Sequence, residues 1–175
     1  MYIDCNNLYG FAMSCVLGSK NYEWCSDLEI HELGKNLRHY VSSDRLGYVF
    51  QVDLHYPKHL HDSHDEFPMC AENKIVTQDM LSPYSKKALF DLYGKSKMRQ
   101  SKLVATLDDK IDYVCLGENL LFYLESGLEL KAIKRVLRFE KTSLIADHIK
   151  IITQMRMEAD NELEKLFYKL IVIYF

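Results

Sequence analysis

The residues best suited to chemistry lie at the start of the chain. Asp4 follows a short β-prone run and precedes the string Cys-Asn-Asn-Leu-Tyr-Gly, so that Tyr9 lies five residues after the acid. A carboxylate at a strand end can hold Mg²⁺ while backbone N–H groups of the following turn face a triphosphate bound to the same metal. This spacing favours phosphoryl transfer. Taken alone, Asp4 could instead cap the following helix and Tyr9 could be a core aromatic.

A second polar group is rich in histidine and aspartate. Imidazole and carboxylate groups are zinc ligands, but the spacings match no zinc motif and only the distant Cys70 could add a thiolate. A small metal-binding or nucleic-acid-binding domain built on this group and on the basic residues described next is therefore an alternative to phosphoryl transfer. The group consists of His55, His59, His61, His64, Asp62 and Asp65.

Two basic groups could follow a nucleic-acid backbone, although each one taken alone is slightly better explained as a solvated helix face. The first is interleaved with aromatic residues, as single-strand binding requires. It consists of Lys86, Lys87, Lys95, Lys97, Arg99 and Lys102, and the second group consists of Lys131, Lys134, Arg135 and Arg138.

Composition limits the classes of protein that remain. The 175 residues, 48% hydrophobic and 27% charged, are enough for a globular core. A net charge of -3 argues against a wholly basic nucleic-acid binder. The five cysteines form no C-x-x-C pair, which favours a reducing compartment such as the nucleus or cytoplasm. No secretory signal and no apolar run of membrane-spanning length is present, so we expect an intracellular, soluble protein.

Hydrophobic periodicity predicts the elements that must position these residues. Helical spacing follows Asn7 and continues to about Leu17, where Gly18 ends it. The alternating run from Tyr48 to His55 predicts a half-buried strand, and residues 58–83 read as largely irregular. A helix over 118–125 should end at Gly127, and a strand should follow over 133–139. The last helix should begin near Thr142 or Ser143, and Asn161 could mark a turn within it.

The first motif resembles motif A of family B DNA polymerases, D-x-x-S-L-Y-P, in the D-x-N-N-L-Y-G form of protein-primed polymerases from viruses, linear plasmids and transposons. Later segments resemble successive blocks of the same family in the same order. They include Met80-Leu-Ser-Pro-Tyr84, Leu107-Asp-Asp-Lys-Ile-Asp-Tyr-Val114 and Val136-Leu-Arg-Phe139. The stretch from Arg156 to Leu170 resembles the helix that enters motif B, K-L-x-x-N-S-x-x-G.

The resemblance assigns roles at the first motif. Asp4 would bind both catalytic metal ions and is the catalytic residue, and the Cys5 carbonyl would be a further metal ligand. Asn7 and Leu8 would offer backbone N–H groups to the triphosphate. Tyr9 would be the steric gate that collides with a ribose 2′-OH.

The resemblance also assigns cationic and DNA-contacting residues. Lys169 would contact the incoming triphosphate, with Arg156 as a second phosphate contact. The first basic group lies where protein-primed polymerases carry an insertion that contacts the terminal protein and primer duplex. The implied cofactor is a pair of Mg²⁺ ions, and the implied partners are a DNA template-primer, a deoxynucleoside triphosphate and a terminal protein.

Two parts of the family pattern are missing from the sequence. Ile173 occupies the motif B position where an asparagine is expected, and no Asp-Thr-Asp turn supplies the second metal-binding carboxylate. The resemblance therefore predicts an α+β fragment: a partial palm with an inserted basic region over 1–141, and fingers helices over 142–175 that stop within motif B. We expect the isolated fragment to be inactive. The alternative within the same lineage is a degenerate, non-catalytic remnant of an integrated viral or transposon polymerase.

Overall fold

The computed structural model describes residues 7–94 and 100–174, and the chain has an α+β fold. The helices are α1 (Leu8–Ser14), α2 (Asp27–Lys35), α3 (Leu37–Val41), α4 (His61–His64), α5 (Pro83–Tyr93), α6 (Gly117–Glu125), α7 (Ala146–Glu158) and α8 (Glu162–Tyr174). The strands are β1 (Leu17–Trp24), β2 (Leu46–His55), β3 (Glu72–Val76), β4 (Gln100–Val104), β5 (Lys110–Leu116) and β6 (Glu129–Thr142). No helix within the described ranges is long and apolar enough to cross a membrane.

The described residues divide into two compact units. The first comprises the residues up to Val49, Leu116–Glu118 and the residues from Arg135 onward. The second comprises Phe50–Cys115, outside the gap at 95–99, and Asn119–Lys134. The predicted division of the chain after residue 141 into palm and fingers stays a prediction.

The larger sheet has the strand order β1-β6-β2-β5. In the first unit, β1 and β6 pair antiparallel, with Leu17 opposite Thr142 and Trp24 opposite Leu137. The prediction that α1 runs to Leu17 and is ended by Gly18 is therefore wrong. Gly18 lies in β1, where a Cβ atom would come within 2.7 Å of the Phe139 ring, so the glycine serves sheet packing rather than helix termination.

Strand β2 is confirmed with the predicted alternation. Tyr48, Phe50, Val52 and Leu54 are all buried, and the residues between them are half-buried. Because successive side chains of a strand point to opposite faces, this one run supplies a continuous core stripe. Its outer face carries the polar residues, including His55.

The stretch predicted to be largely irregular contains β3 as well as short helical turns. In the second unit β3 pairs antiparallel with β4, from Glu72 opposite Val104 to Val76 opposite Gln100. The partner strand is more than twenty residues away along the chain, so local propensity gave little sign of this ribbon. Helix α5 then begins after Ser82, whose hydroxyl accepts a hydrogen bond from the Ser85 N–H at 3.1 Å.

The predicted strand over 133–139 is confirmed but longer, and β6 continues to Thr142. The last helix therefore begins at Ala146 rather than near Thr142 or Ser143. The predicted turn at Asn161 is confirmed: α7 ends at Glu158, and Asn161 Oδ1 accepts a hydrogen bond from the Glu164 N–H at 2.9 Å. Buried residues Ile149, Ile152 and Val172 join α7 to α8.

Candidate functional site

A cleft of about 950 Å³ lies between α1 and α7 in the first unit. Helices α1 and α7 lie side by side because both pack against α8. Met13 of α1 contacts the buried cluster formed by Ile149 and Ile152 of α7 and Val172 of α8. The exposed sides of α1 and α7 form the walls. The residues that line them are Asn7, Gly10, Phe11, Ser14, Ala146, Asp147, Ile149, Lys150, Thr153, Gln154, Met157 and Glu158.

The α1 wall begins with an unusual backbone at Asn7. Asn7 has a left-handed conformation, with φ of 58° and ψ of 40°, and its carbonyl accepts the Phe11 N–H at 3.0 Å. Its side chain lies over Gly10, where an added Cβ atom would come within 2.4 Å of the Asn7 amide nitrogen. Local geometry thus explains both ends of the Asn-Leu-Tyr-Gly string. Asparagine tolerates the left-handed conformation, and the missing side chain of Gly10 leaves room for the Asn7 amide.

Tyr9 is not a core aromatic. Its side chain is 70% exposed, and the neighbouring Leu8 is also exposed. The structural alternative weighed for Tyr9 from the sequence therefore does not apply. Neither residue lines the α1–α7 cleft, whose α1 wall consists of Asn7, Gly10, Phe11 and Ser14, so the predicted roles of Leu8 and Tyr9 stay predictions.

Five of the predicted site residues lie outside the described residues, so their placement is not assigned. Asp4 and Cys5 are the two metal-binding predictions among them. The remaining three, Lys95, Lys97 and Arg99, belong to the basic stretch.

The α7 wall contains residues that sequence reasoning did not select. Lys150, Thr153, Gln154 and Met157 line the cleft at helical spacing, while Ile152 points into the core and the buried Ile149 reaches both the core and the cleft floor. The signal was present in the sequence, because a polar stripe beside an apolar stripe on one helix predicts a two-faced element. What the sequence lacked was the identity of the neighbouring helix.

The two side chains predicted to contact the triphosphate, Lys169 and Arg156, lie outside the cleft. Lys169 is exposed on α8 and Arg156 is half-buried on α7, and neither lines the described cleft. Among the described residues lining the cleft, the cationic side chain is that of Lys150, and Asp147 and Glu158 line it as well. The predicted triphosphate contacts of Lys169 and Arg156 stay predictions.

The histidine group forms separate hydrogen-bonded pairs in the second unit. His55 Nδ1 lies 2.8 Å from Asp109 Oδ1, which also accepts the Tyr56 N–H at 2.8 Å. The backbone hydrogen bond from Tyr56, followed by the hydrogen bond with His55, lowers the pKa of Asp109. His64 Nδ1 lies 2.8 Å from the Tyr56 hydroxyl. Within residues 7–94 and 100–174, no three His, Cys, Asp or Glu side chains are grouped so as to hold a metal ion.

The two basic groups differ in how much of their charge is engaged. Lys86 and Lys87 are exposed on α5, and Lys102 is exposed on β4 directly opposite Lys74. In the second group, Lys134 Nζ lies 2.9 Å from Asp53 and 2.8 Å from Asp112.

Arg138, in the first unit, pairs with Glu23 at 2.8 Å and with Glu29 at 3.0 Å. Lys134 and Arg138 are thus neutralised locally, so the second basic group is the weaker candidate for binding a polyanion.

The chain matches no family model, and comparisons with curated proteins and with solved structures give no match.

Proposed function

We propose that the chain is part of a protein-primed family B DNA polymerase, with the α1–α7 cleft as its site for a deoxynucleoside triphosphate. The observation that carries the proposal is the Asp4-to-Gly10 string, whose Asn7 and Gly10 line a cleft opposite a lysine-bearing helix. The complete enzyme would add deoxynucleotides to a primer hydroxyl. Two Mg²⁺ ions supply the activation of the attacking hydroxyl and the stabilisation of the leaving pyrophosphate in such reactions.

The exposed face of α1 supports this assignment. Tyr9 sits in the first turn of the helix that forms one wall, with its ring in solvent rather than in the core. The ring has no packing role in the core, and because it does not line the cleft, the gate role requires the sugar to lie at the α1 edge of the cleft. Phosphate groups at the opposite wall would meet Lys150, a cation of the kind that stabilises charge in phosphoryl transfer, and a bound cation would have to separate them from Asp147 and Glu158 on the same wall.

The first basic group supports a second contact, with DNA. Lys86, Lys87 and Lys102 are exposed, and Tyr84 is 82% exposed beside them in sequence. Exposed cations and aromatics together bind a nucleic-acid backbone and its bases. We assign the primer duplex or the terminal protein to this group.

The decisive experiment uses an enzyme in which the chain is continued by the missing Asn-Ser and Asp-Thr-Asp motifs. Asp4→Asn should abolish nucleotide addition and leave DNA binding largely intact, because a metal ligand is lost and the basic residues are not. Asp44→Asn, at an exposed acid, is the matched control and should extend primers normally. Primer extension by Asp4→Asn within threefold of the parent enzyme would reject the proposal.

A second arm tests the steric gate. Tyr9→Ala should relax discrimination against ribonucleotides far more than it slows deoxynucleotide addition, since it removes a collision specific to the 2′-OH. Tyr9→Phe keeps the ring and should keep the selectivity. Single-nucleotide incorporation with each sugar measures both, and unchanged selectivity in Tyr9→Ala would remove the gate assignment.

A further inference from the structure

One face of the β1–β6 pair carries aromatic rings that are exposed to solvent. In β1, Tyr22 is 55% exposed and Trp24 is 61% exposed. A bulge in β1 places Asn21 and Tyr22 together opposite Phe139, and Trp24 lies opposite Leu137. Because alternate side chains of a strand share a face, Phe139 and Leu137 lie on the same face of β6. The two exposed rings therefore lie over one face of the sheet.

Each ring is supported from one side and stays open on the rest of its surface. The Tyr22 ring contacts the ring of the buried Phe139, with 5.6 Å between the ring centroids. The Arg135 guanidinium lies over the Trp24 ring, with Cζ 4.1 Å from the ring centroid, and Arg135 is itself exposed. Nucleobases stack on aromatic rings and on guanidinium planes. The surface therefore offers stacking positions whose orientation is fixed before a ligand binds.

The positive charge of Arg135 is available to a ligand. Lys134 and Arg138, the neighbouring cations of β6, each contact two carboxylates. Arg135 instead contacts the Trp24 ring, and within residues 7–94 and 100–174 it forms no ion pair. The carboxylates that form ion pairs across β1 and β6 are engaged by other cations. A phosphate at this face therefore meets a cation that no carboxylate of the described residues neutralises.

We propose that Tyr22, Trp24 and Arg135 form a binding surface for single-stranded nucleic acid, in which bases stack on the two rings and the guanidinium binds a backbone phosphate. An anionic polymer without bases would use the charge and leave the rings exposed. An uncharged apolar partner would cover the rings and bury the guanidinium without a counter-ion, which is costly. The surface lies outside the cleft and outside the first basic group, and the proposal does not depend on polymerase activity.

The fluorescence of Trp24 reports directly on this surface, because it is the only tryptophan of the chain. Oligothymidylate and oligouridylate should each quench it saturably, and the tighter of the two identifies the preferred sugar. A DNA duplex of equal length and heparin, which carry anionic groups without accessible bases, should change the emission little. No quenching by either single strand, or equal quenching by heparin or by the duplex, would overturn the proposal.

Substitutions at exposed positions test the phosphate and base contacts separately without disturbing the core. Arg135→Gln should weaken binding about tenfold and reduce the slope of log affinity against log salt by about 0.7, the value for one phosphate contact. Arg45→Gln, the matched control, removes another exposed arginine of the first unit and should bind like the parent. Trp24→Ala, measured by the anisotropy of a labelled strand, should also lose about tenfold in affinity, because a stacked base is lost. Parent-like affinity in Arg135→Gln or in Trp24→Ala would overturn the proposal.

A variant of the first basic group separates this surface from the DNA contact assigned to that group. Lys86→Gln/Lys87→Gln should leave the quenching of Trp24 at saturation unchanged, whatever its effect on the binding of a primer duplex. Loss of the quenching in this variant would assign the single strand to α5 and overturn the Trp24 surface.

Discussion

At the residue scale, Lys110 is a cation with no exposure to solvent. Its Nζ atom donates to the Thr106 carbonyl and hydroxyl, both at 3.0 Å, and lies 3.2 Å from Glu72 Oε2. A buried ammonium is tolerated only when each of its protons finds an acceptor. These contacts hold the start of β5 to β3 within the second unit.

Lys110→Met should therefore destabilise the chain. It removes the hydrogen bonds to Thr106 and a cation beside the Glu72 carboxylate, although Lys74 Nζ remains 3.0 Å from the same oxygen, so the loss should be about 2 kcal/mol. The free energy of unfolding in urea measures the effect. Lys102→Met removes an exposed lysine from the neighbouring ribbon and should change stability little, so equal losses in the two variants would contradict the buried-cation argument.

Two buried cysteines of the second unit make stability depend on alkaline pH. Burial raises the pKa of the Cys70 thiol to about 12 and that of Cys115 to about 11, from an ordinary value of 9.0. Since the folded-state pKa values lie above the unfolded ones, the unfolded chain loses protons first. The stabilisation is complete below pH 9 and is lost as the pH rises toward 11 and 12.

Urea unfolding between pH 7.5 and 10.5 should accordingly show a free energy that falls above pH 9. The Cys70→Ala/Cys115→Ala variant should show a shallower fall, although Tyr113, whose pKa burial also raises, retains part of it. Thiol labelling of the folded chain gives an independent readout. The exposed Cys15 should react well before Cys70 or Cys115.

At the element scale, the ends of α5 and α6 both use glycine with a positive φ angle. Gly94 follows α5 with φ of 60°, and a Cβ atom there would meet nothing within 4 Å. Gly127 follows α6 with φ of 102°, and its Cβ atom would come within 3.1 Å of both Leu60 methyl groups. A side chain added at Gly94 would therefore meet backbone strain alone, whereas one added at Gly127 would meet both strain and crowding by Leu60.

Gly94→Ala should cost about 1 kcal/mol, the strain of a side chain in the left-handed region. Gly127→Ala should cost about 2 kcal/mol, because its φ is less favourable and Leu60 must move. Thermal and urea unfolding of both variants give the comparison. In the Leu60→Ala background, Gly127→Ala should destabilise the chain by less than it does in the parent, because the crowding methyl groups are gone. An equal loss of stability in the two backgrounds would assign the whole cost to the backbone.

At the scale of the whole molecule, the chain should have no polymerase activity by itself. Under the proposed assignment, the printed sequence contains the first motif but neither an Asp-Thr-Asp turn nor the Asn-Ser pair of motif B. Loss of preorganised charge stabilisation at a phosphoryl centre lowers the rate on the order of a thousandfold or more. Templated extension with Mg²⁺ or Mn²⁺ tests this, and robust extension by the purified chain would contradict it.

The sequence by itself determined the features that depend on neighbours along the chain. The alternation from Tyr48 to Leu54 sufficed for β2, because a strand with one buried face has a period of two. Gly127, which follows an apolar helical run, was enough to predict the end of α6. Asn161 was enough to predict the turn before α8. The polymerase proposal also starts from the sequence, in the Asp4-to-Gly10 string and the motifs that follow it in order, and it stays a proposal.

Tertiary structure decided the features that depend on a distant partner. Gly18 lies in a strand because β6 pairs with it and Phe139 needs the space. Lys150 lines the cleft because α1 packs beside α7, and the sequence of α7 does not predict that α1 is its neighbour. Of the histidines considered as an alternative metal site, His55 contacts Asp109, whereas His61 and His64 contact Tyr56. Periodicity fixes which face of an element is buried, whereas the residue across from it is fixed only when the chain folds.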